Sequence, residues 1–265
     1  MNESMGELPN NIKEKAQKVF RENFSSRTTN SLLLERLSKS KELALKHLEQ
    51  LDLNPSFLQE NNPELNTMRS NLNSESGVII SNHPGWADTA LILSVIKRDD
   101  IKIMINKNYF NLLPVEVADK YFFPNEKDPS KNIGIFKRIQ DHIKNGGVLL
   151  IYPSGGNEDK NGTDFKDGFR VILRGLEPTQ MVYCFNINNE DTKKASKGHH
   201  SRIGFASEIL LPVLNYKKSK DPQTIRVDEA YTQAGDWQEA SEGVSKEDTN
   251  TILTKKYENM FLQNK

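Results

Sequence analysis

A histidine and an aspartate stand five residues apart in the segment SNHPGWAD, residues 81–88. If the chain turns back at Pro84 and Gly85, the Asp88 carboxylate can accept a hydrogen bond from one imidazole nitrogen of His83. The other nitrogen could then take the proton of an attacking hydroxyl group, so the pair is a candidate catalytic dyad. The alternative is structural: Asp88 favours a helix N-terminus, and His83 is a turn residue. With 5 histidines and 36 acidic residues in the chain, the spacing alone does not decide between the two interpretations.

A second segment, GGVLLIYPSGGNED at residues 146–159, places a turn directly after an apolar run. Ser154, Gly155 and Gly156 form that turn. Glycines let backbone amides approach a ligand closely, as anion and oxyanion sites require. An ordinary loop between a strand and a helix has a similar composition, so this segment also needs its context.

Both segments follow apolar runs that are typical of buried strands. GVIIS, IKIMI, GVLLIYP and QMVYCFNI predict four strands between residues 77 and 187, and helical patterns lie between them. This alternation predicts an α/β fold with a mixed, largely parallel central sheet flanked by helices. Such sheets bind ligands at the carboxyl ends of their strands, where we expect both segments to lie.

The first 75 residues have a different texture. They are rich in Leu, Lys, Glu and Ala, and residues 29–51 repeat leucines at helical spacing. We therefore predict a helical N-terminal subdomain at 1–75 and an α/β domain at 76–265. The proline- and asparagine-rich stretch at 51–66 predicts turn and short helix at best.

Two helices of the α/β domain have clear sequence boundaries. One is expected to end at Gly146, and the last is expected to open at Ser245 with Asp248 as its capping partner. Their predicted packing faces are, for the first, Ile133, Phe136, Ile139 and Ile143, and for the second, Ile252, Tyr257 and Phe261.

Composition restricts the partners and the compartment. The chain has 36 basic and 36 acidic residues, so no overall field attracts nucleic acid. Its single cysteine, Cys184, cannot form a disulfide within the chain and is expected to be a buried small hydrophobic residue. No apolar stretch reaches the roughly 20 residues that span a bilayer. We expect a cytoplasmic protein that at most contacts a membrane surface. The basic loop around His199 and His200 is a candidate contact for an acidic carrier protein or for CoA phosphates.

Together the two segments resemble the glycerolipid acyltransferase superfamily. NHPGWAD is similar to the Asn-His-x4-Asp block of that superfamily. LLIYPSGG stands where most members have Phe-Pro-Glu-Gly-Thr, and its Ser-Gly-Gly form is similar to that of the soluble plastid-type glycerol-3-phosphate acyltransferases. The resemblance covers about residues 75–190.

This resemblance implies a one-step acyl transfer with His83 as general base and Asp88 as its partner. The donor would be acyl-CoA or an acylated carrier protein, and the acceptor would be a hydroxyl of glycerol 3-phosphate or a related glycerolipid. No metal and no cofactor beyond this co-substrate is expected. Backbone amides near Gly155 and Gly156, or near Gly85 and Trp86, would stabilise the oxyanion. The residues expected to bind substrate are Asn82, Gly85, Trp86, Lys107, Ser154, Gly155 and Gly156.

The sequence departs from this pattern at the expected phosphate site. The soluble relatives have Arg-x-Arg after Ser-Gly-Gly, whereas this chain has Asn157 and Asp159. A carboxylate there repels a phosphate. The middle block offers Lys127 and Lys131, and other candidate cations are Lys102, Lys107, Lys166 and Arg170. Two alternatives therefore stay open: acyl transfer to a non-phosphorylated acceptor such as an amino-lipid or polyol, and a non-catalytic lipid- or acyl-carrier-binding protein that kept the fold.

Overall fold

A seven-stranded sheet forms the centre of the described part of the chain. The computed structural model describes residues 44–45, 48–49, 53–57, 62–83, 88–111, 115–126, 128–155, 164–196 and 223–262. The strands are β1 (Leu53–Phe57), β2 (Gly77–Ser81), β3 (Ile101–Asn106), β4 (Phe122–Asn125), β5 (Val148–Ile151), β6 (Met181–Ile187) and β7 (Gln223–Gln233). Their order across the sheet is β1-β7-β6-β2-β5-β3-β4.

Five neighbouring strands, β6, β2, β5, β3 and β4, run parallel to one another. Their carboxyl ends therefore meet at one edge of the sheet. The strand β7 is antiparallel to β6, and β1 pairs with β7 in parallel. The prediction of a mixed, largely parallel sheet is confirmed. Central β2 is buried along its whole length, which explains its uninterrupted apolar sequence.

Helices cover both faces of this sheet. They are α1 (Pro63–Leu72), α2 (Asp88–Leu93), α3 (Lys107–Phe110), α4 (Val115–Tyr121), α5 (Ile133–Lys144), α6 (Asp167–Arg174), α7 (Asn189–Ser196), α8 (Ala234–Ala240) and α9 (Lys246–Leu262). A 3-10 turn at Pro129–Asn132 precedes α5. Within the described ranges, no helix is both long and apolar enough to cross a membrane.

The alternation of side chains along β2 divides the interior into two cores. Ile79 packs in the first core with the apolar faces of α1 and α2. Val78 and Ile80 pack in the second core, which α5, α6, α8 and α9 cover. Cys184 lies in that second core, fully buried and unoxidised, as predicted. Burial raises the pKa of its thiol, which keeps it protonated.

The helix α5 ends as predicted, and its predicted packing face is confirmed at Phe136, Ile139 and Ile143 but is wrong at Ile133. Gly146 has φ of +94°, and the amides of Gly146 and Gly147 donate to the carbonyls of Ile143 and His142, which closes the helix C-terminus. Ile133 was expected on the packing face but is 72 % exposed. Ile133 lies six residues before Ile139, and at 100° per residue this spacing turns its side chain away from the buried face. Ile135 is buried in its place.

The last helix follows its predicted pattern closely. The Ser245 hydroxyl accepts a hydrogen bond from the Asp248 amide at 3.1 Å, and it donates to the Asp248 carboxylate at 2.8 Å. Tyr257 and Phe261 are buried in the second core, whereas Ile252 is only half-buried and its neighbour Leu253 is fully buried.

Three strands were not predicted. Residues 53–57 were expected to form turn or short helix, but they form β1, and β4 and β7 lie in stretches for which we predicted no strand. Both β1 and β4 are edge strands and contain a proline, Pro55 and Pro124, which an edge strand tolerates because one side makes no ladder bonds. Residues 1–43 lie outside the described residues, so a helical subdomain there stays a prediction, whereas β1 and α1 at 53–72 belong to the central sheet and its first core.

Candidate active site

His83 lies just beyond the carboxyl end of β2, where hydrogen bonds hold the preceding residue, Asn82, in place. Asn82 follows the strand directly, and its backbone amide donates to the Tyr257 hydroxyl at 2.9 Å. That hydroxyl donates in turn to the Phe185 carbonyl on β6 at 2.5 Å. The buried phenol of α9 therefore links β6 to the residue that follows β2, one position before the histidine.

The Asn82 side chain continues the ladder between β2 and β6 beyond the strand. Its Nδ2 donates to the Ile187 carbonyl at 2.8 Å, and its Oδ1 accepts from the Ile187 amide at 2.7 Å. Asn82 is 9 % exposed. We predicted Asn82 as a substrate-binding residue, and these contacts give it a positioning role that explains why an amide side chain precedes the histidine.

The predicted dyad has hydrogen-bonding geometry. His83 Nδ1 lies 2.7 Å from Asp88 Oδ2. Asp88 is the first residue of α2 and is fully buried, whereas the His83 side chain is 19 % exposed. A buried carboxylate on Nδ1 fixes the orientation of the imidazole ring. The contact between His83 and Asp88 that the sequence spacing suggested is therefore present in the structure.

The aromatic ring of Tyr152 covers one face of the histidine. The two ring centroids are 4.3 Å apart and the planes are inclined by 23°, a stacked arrangement. Tyr152 leaves the end of β5, and its hydroxyl lies 2.8 Å from the Thr89 hydroxyl on α2. Asp88 thus holds the imidazole through a hydrogen bond to its edge, and Tyr152 packs against the face of the ring.

The described part of the Ser-Gly-Gly turn, Ser154 and Gly155, follows Tyr152 and Pro153 at the end of β5. Gly155 has φ of +75°, and its amide donates to the Tyr152 carbonyl at 2.9 Å. The Lys166 amide donates to the Pro153 carbonyl at 2.9 Å, which ties the turn to the start of α6. Because the Gly155 amide is used inside the turn, it is not available in this conformation as the oxyanion donor that we expected. Ser154 is half-buried in the turn.

Lys107 stands at the same edge, where β3 passes into α3. Its ammonium forms an ion pair with the Glu126 carboxylate, which follows β4 directly. The Lys107 side chain is 45 % exposed and that of Glu126 is 19 % exposed. Lys107 was expected to bind substrate, and its partner Glu126 was not identified from the sequence.

Several predicted residues fall outside the described ranges. They are Gly85, Trp86, Gly156, Lys127, Asn157, Asp159, His199 and His200. Their expected roles, including the remaining oxyanion donors, stay predictions. Among the residues that the structure does describe, no group of three or more His, Cys, Asp or Glu side chains could hold a metal ion.

Tyr152, Tyr257 and Glu126 are the site residues that sequence reasoning missed. Tyr152 had a signal, since it ends the strand that precedes the Ser-Gly-Gly turn. Tyr257 had no such signal, because it lies 175 residues from Asn82, whose amide donates a hydrogen bond to its hydroxyl.

Comparison with known proteins agrees with this geometry. Residues 59–183, a little under half of the chain, match a family model described as Acyltransferase. No curated protein matches significantly. The chain is similar to the crystal structure of the 1-acyl-sn-glycerophosphate (LPA) acyltransferase PlsC from Thermotoga maritima, with a TM-score of 0.53 and 11 % identity over 97 % of each chain.

The likeness to PlsC, at this low identity, shows a shared fold. The family match covers β2, the dyad, β5 and the Ser-Gly-Gly turn. The family match agrees with the acyltransferase class that the sequence resemblance implies, and the likeness to PlsC adds the shared fold. The specific likeness to the plastid-type enzymes stays a prediction.

Proposed function

We propose that the protein is an O-acyltransferase that moves a fatty acyl group from a thioester, acyl-CoA or an acylated carrier protein, to a hydroxyl of a glycerolipid-type acceptor. The observation that carries the proposal is the 2.7 Å contact between His83 Nδ1 and the buried Asp88 carboxylate at the carboxyl edge of the sheet. The match of the surrounding segment to the Acyltransferase model supports the class of reaction.

The first chemical step is removal of the acceptor proton. An alcohol is a weak nucleophile near neutral pH, and a positioned imidazole increases its reactivity as the oxygen–carbon bond forms. His83 Nε2 takes this proton while Asp88 stabilises the positive charge that develops on the ring. Stacking on Tyr152 keeps the ring from rotating away from the acceptor.

The second step is collapse of the tetrahedral intermediate. The acceptor oxygen has bonded to the thioester carbon, and the carbonyl oxygen carries a negative charge that backbone amides stabilise. The carbon–sulfur bond then breaks, and the imidazolium returns its proton to the leaving thiolate. The products are an ester and a free thiol, and His83 ends in its starting state. Amides near Gly85, Trp86 and Gly156 are the proposed oxyanion donors, since the Gly155 amide is used in the turn.

Acyl transfer with labelled long-chain acyl-CoA and acyl carrier protein tests this proposal. Wild type and His83→Ala are incubated with glycerol 3-phosphate, lysophospholipids and neutral polyol acceptors, and the esters are identified by mass spectrometry. We expect a His83-dependent ester and a loss of about 1,000-fold in kcat in the variant. Equal thioester consumption by both proteins, without an ester product, would contradict the proposal and favour a lipid- or carrier-binding protein.

A further inference from the structure

A row of polar residues extends from His83 along the carboxyl edge of the sheet. His83, Ser154, Lys107 and Glu126 lie one to three residues beyond the carboxyl ends of the parallel strands β2, β5, β3 and β4, respectively. On the other side of His83, β6 ends at buried Ile187. Among the described residues, the polar side chains of Ser154, Lys107 and Glu126 lie on the β5, β3 and β4 side of His83.

Each strand that leads to one of these polar residues, or the residue that follows it, contributes a side chain to the first core. Ile79, Leu150, Ile105 and Phe122 belong to the first core. Neighbouring strands are about 4.8 Å apart, so Lys107 lies about 10 Å from the histidine along the row.

The cation in this row is neutralised by its neighbour. Lys107 pairs with Glu126, so the end of the row carries both a donor group and an acceptor group but no net charge. A phosphate brought to Lys107 would meet the Glu126 carboxylate, and like charges at that distance repel. A polyol hydroxyl can instead accept from the ammonium and donate to the carboxylate.

Glu126 is fixed in this position by a buried side chain. Asn132 is 5 % exposed, and its Oδ1 accepts from the Glu126 amide at 2.9 Å while its Nδ2 donates to the Glu126 carbonyl at 3.0 Å. The same Nδ2 lies 3.1 Å from Asn125 Oδ1. The backbone that carries the carboxylate is therefore anchored, and Glu126 cannot leave Lys107 by a shift of this loop without breaking these bonds.

We infer that the acceptor is a neutral polyol headgroup without a phosphate, and that Glu126 determines this choice by holding Lys107. The inference rests on the proposed acyl-transfer function and names its acceptor class. The sequence agrees with it, because Asn157 and Asp159 stand where the resemblance places phosphate-binding arginines.

A pair of acceptors that differ only by the phosphate tests the inference. Acyl transfer from one acyl-CoA to 1-acylglycerol and to 1-acylglycerol 3-phosphate is measured with wild type, Glu126→Gln and Asp119→Asn. We expect wild type to prefer 1-acylglycerol by about tenfold in kcat/KM. Glu126→Gln frees Lys107 and should shift the ratio by about tenfold toward the phosphorylated acceptor.

Asp119→Asn is the matched control, since it removes one negative charge from an exposed ion pair with Arg138 on α5 and should leave the ratio unchanged. A wild-type preference for 1-acylglycerol 3-phosphate, measured without any variant, overturns the inference and leaves the proposed acyl transfer standing. An unchanged ratio in folded Glu126→Gln overturns the role of Glu126. Absence of both products overturns the inference, and it overturns the proposed function as well when no acceptor of the wider panel forms an ester.

Discussion

The Asp88 carboxylate is removed from water and contacts the imidazole at 2.7 Å, so its effect on His83 is not screened by solvent. This contact favours the catalytic interpretation over that of a simple helix N-terminus, because a residue that only favours the helix dipole has no need to reach the histidine. The sequence supplied both residue types and a turn that could bring them together. It could not supply the distance, which depends on how β2 ends and how α2 begins.

Tyr257 is the residue outside the dyad whose loss should affect His83 most directly. Tyr257→Phe removes a buried hydroxyl that accepts from the Asn82 amide and donates to the Phe185 carbonyl, and it leaves the amide without this partner. We expect a loss of about 1–3 kcal/mol in the free energy of unfolding. We also expect kcat for the folded protein to fall while KM changes little, because the histidine loses its fixed position and the acceptor contacts remain.

Urea unfolding and initial rates under native conditions measure both effects. The matched control is Tyr231→Phe on β7, whose side chain is exposed. A Tyr257→Phe protein that is less stable but has wild-type kcat would show that the hydroxyl supports the fold without positioning His83.

At the scale of elements, local composition predicted the central strands and missed the edges. The strands β2, β5 and β6 are fully or mostly buried, and their apolar sequences are unambiguous. The edge strands β1 and β4 contain prolines that argue against a strand in isolation, and β7 alternates buried Ile225 and Val227 with charged residues. β1 and β7 depend on each other although they are about 170 residues apart, whereas β4 depends on its nearby neighbour β3, and composition encodes neither pairing.

The end of α5 offers a matched pair of glycines for a stability test. Gly146 has φ of +94°, a conformation that costs an L-residue about 1–2 kcal/mol, so Gly146→Ala should destabilise the protein by that amount. Gly134 lies near the start of the same helix, with no atom within 4 Å of an added Cβ, and Gly134→Ala should stabilise by up to about 1 kcal/mol. Thermal and urea unfolding of the two variants give the comparison. Equal effects of both substitutions would contradict the assigned helix terminus.

At the scale of the whole molecule, the α/β class and the edge that carries the site followed from alternating patterns and the carboxyl-end rule. The strand order did not, because nothing local specifies that β7 runs antiparallel between β6 and β1. The neighbours of His83 also come from distant parts of the chain, namely Tyr152 from β5 and, through Asn82, Tyr257 from α9. The dyad was predictable because it is local, and its supporting residues were not because they meet only in the assembled sheet.

Global stability should depend on the protonation of His142. Its ring packs edge-on against Phe123, its Nε2 lies 3.2 Å from the Val148 carbonyl, and burial, reinforced by the charge of Lys102, lowers the pKa of His142 below its ordinary value of 6.5. The unfolded chain therefore binds the proton more readily than the folded protein. Stability is expected to be complete above pH 6.5 and to be lost as the pH falls below it, through the folded pKa.

Urea unfolding of wild type and His142→Gln at pH 7.5 and pH 5.5 isolates this dependence. Wild type should lose more stability between the two pH values than the variant, in which this group no longer titrates. Parallel losses in the two proteins would assign the acid sensitivity to other groups.

The central claim is that His83 and Asp88 act as one catalytic unit, and a double-mutant cycle in acyl transfer tests it most directly. Initial rates are measured for wild type, His83→Ala, Asp88→Asn and the double variant, with folding of each checked by circular dichroism. Asp88→Asn alone should lower kcat by about 100-fold or more. Because Asp88 acts through the imidazole, the double variant should be no slower than His83→Ala. Losses that multiply in the double variant, or an Asp88→Asn protein with wild-type kcat, would contradict the dyad.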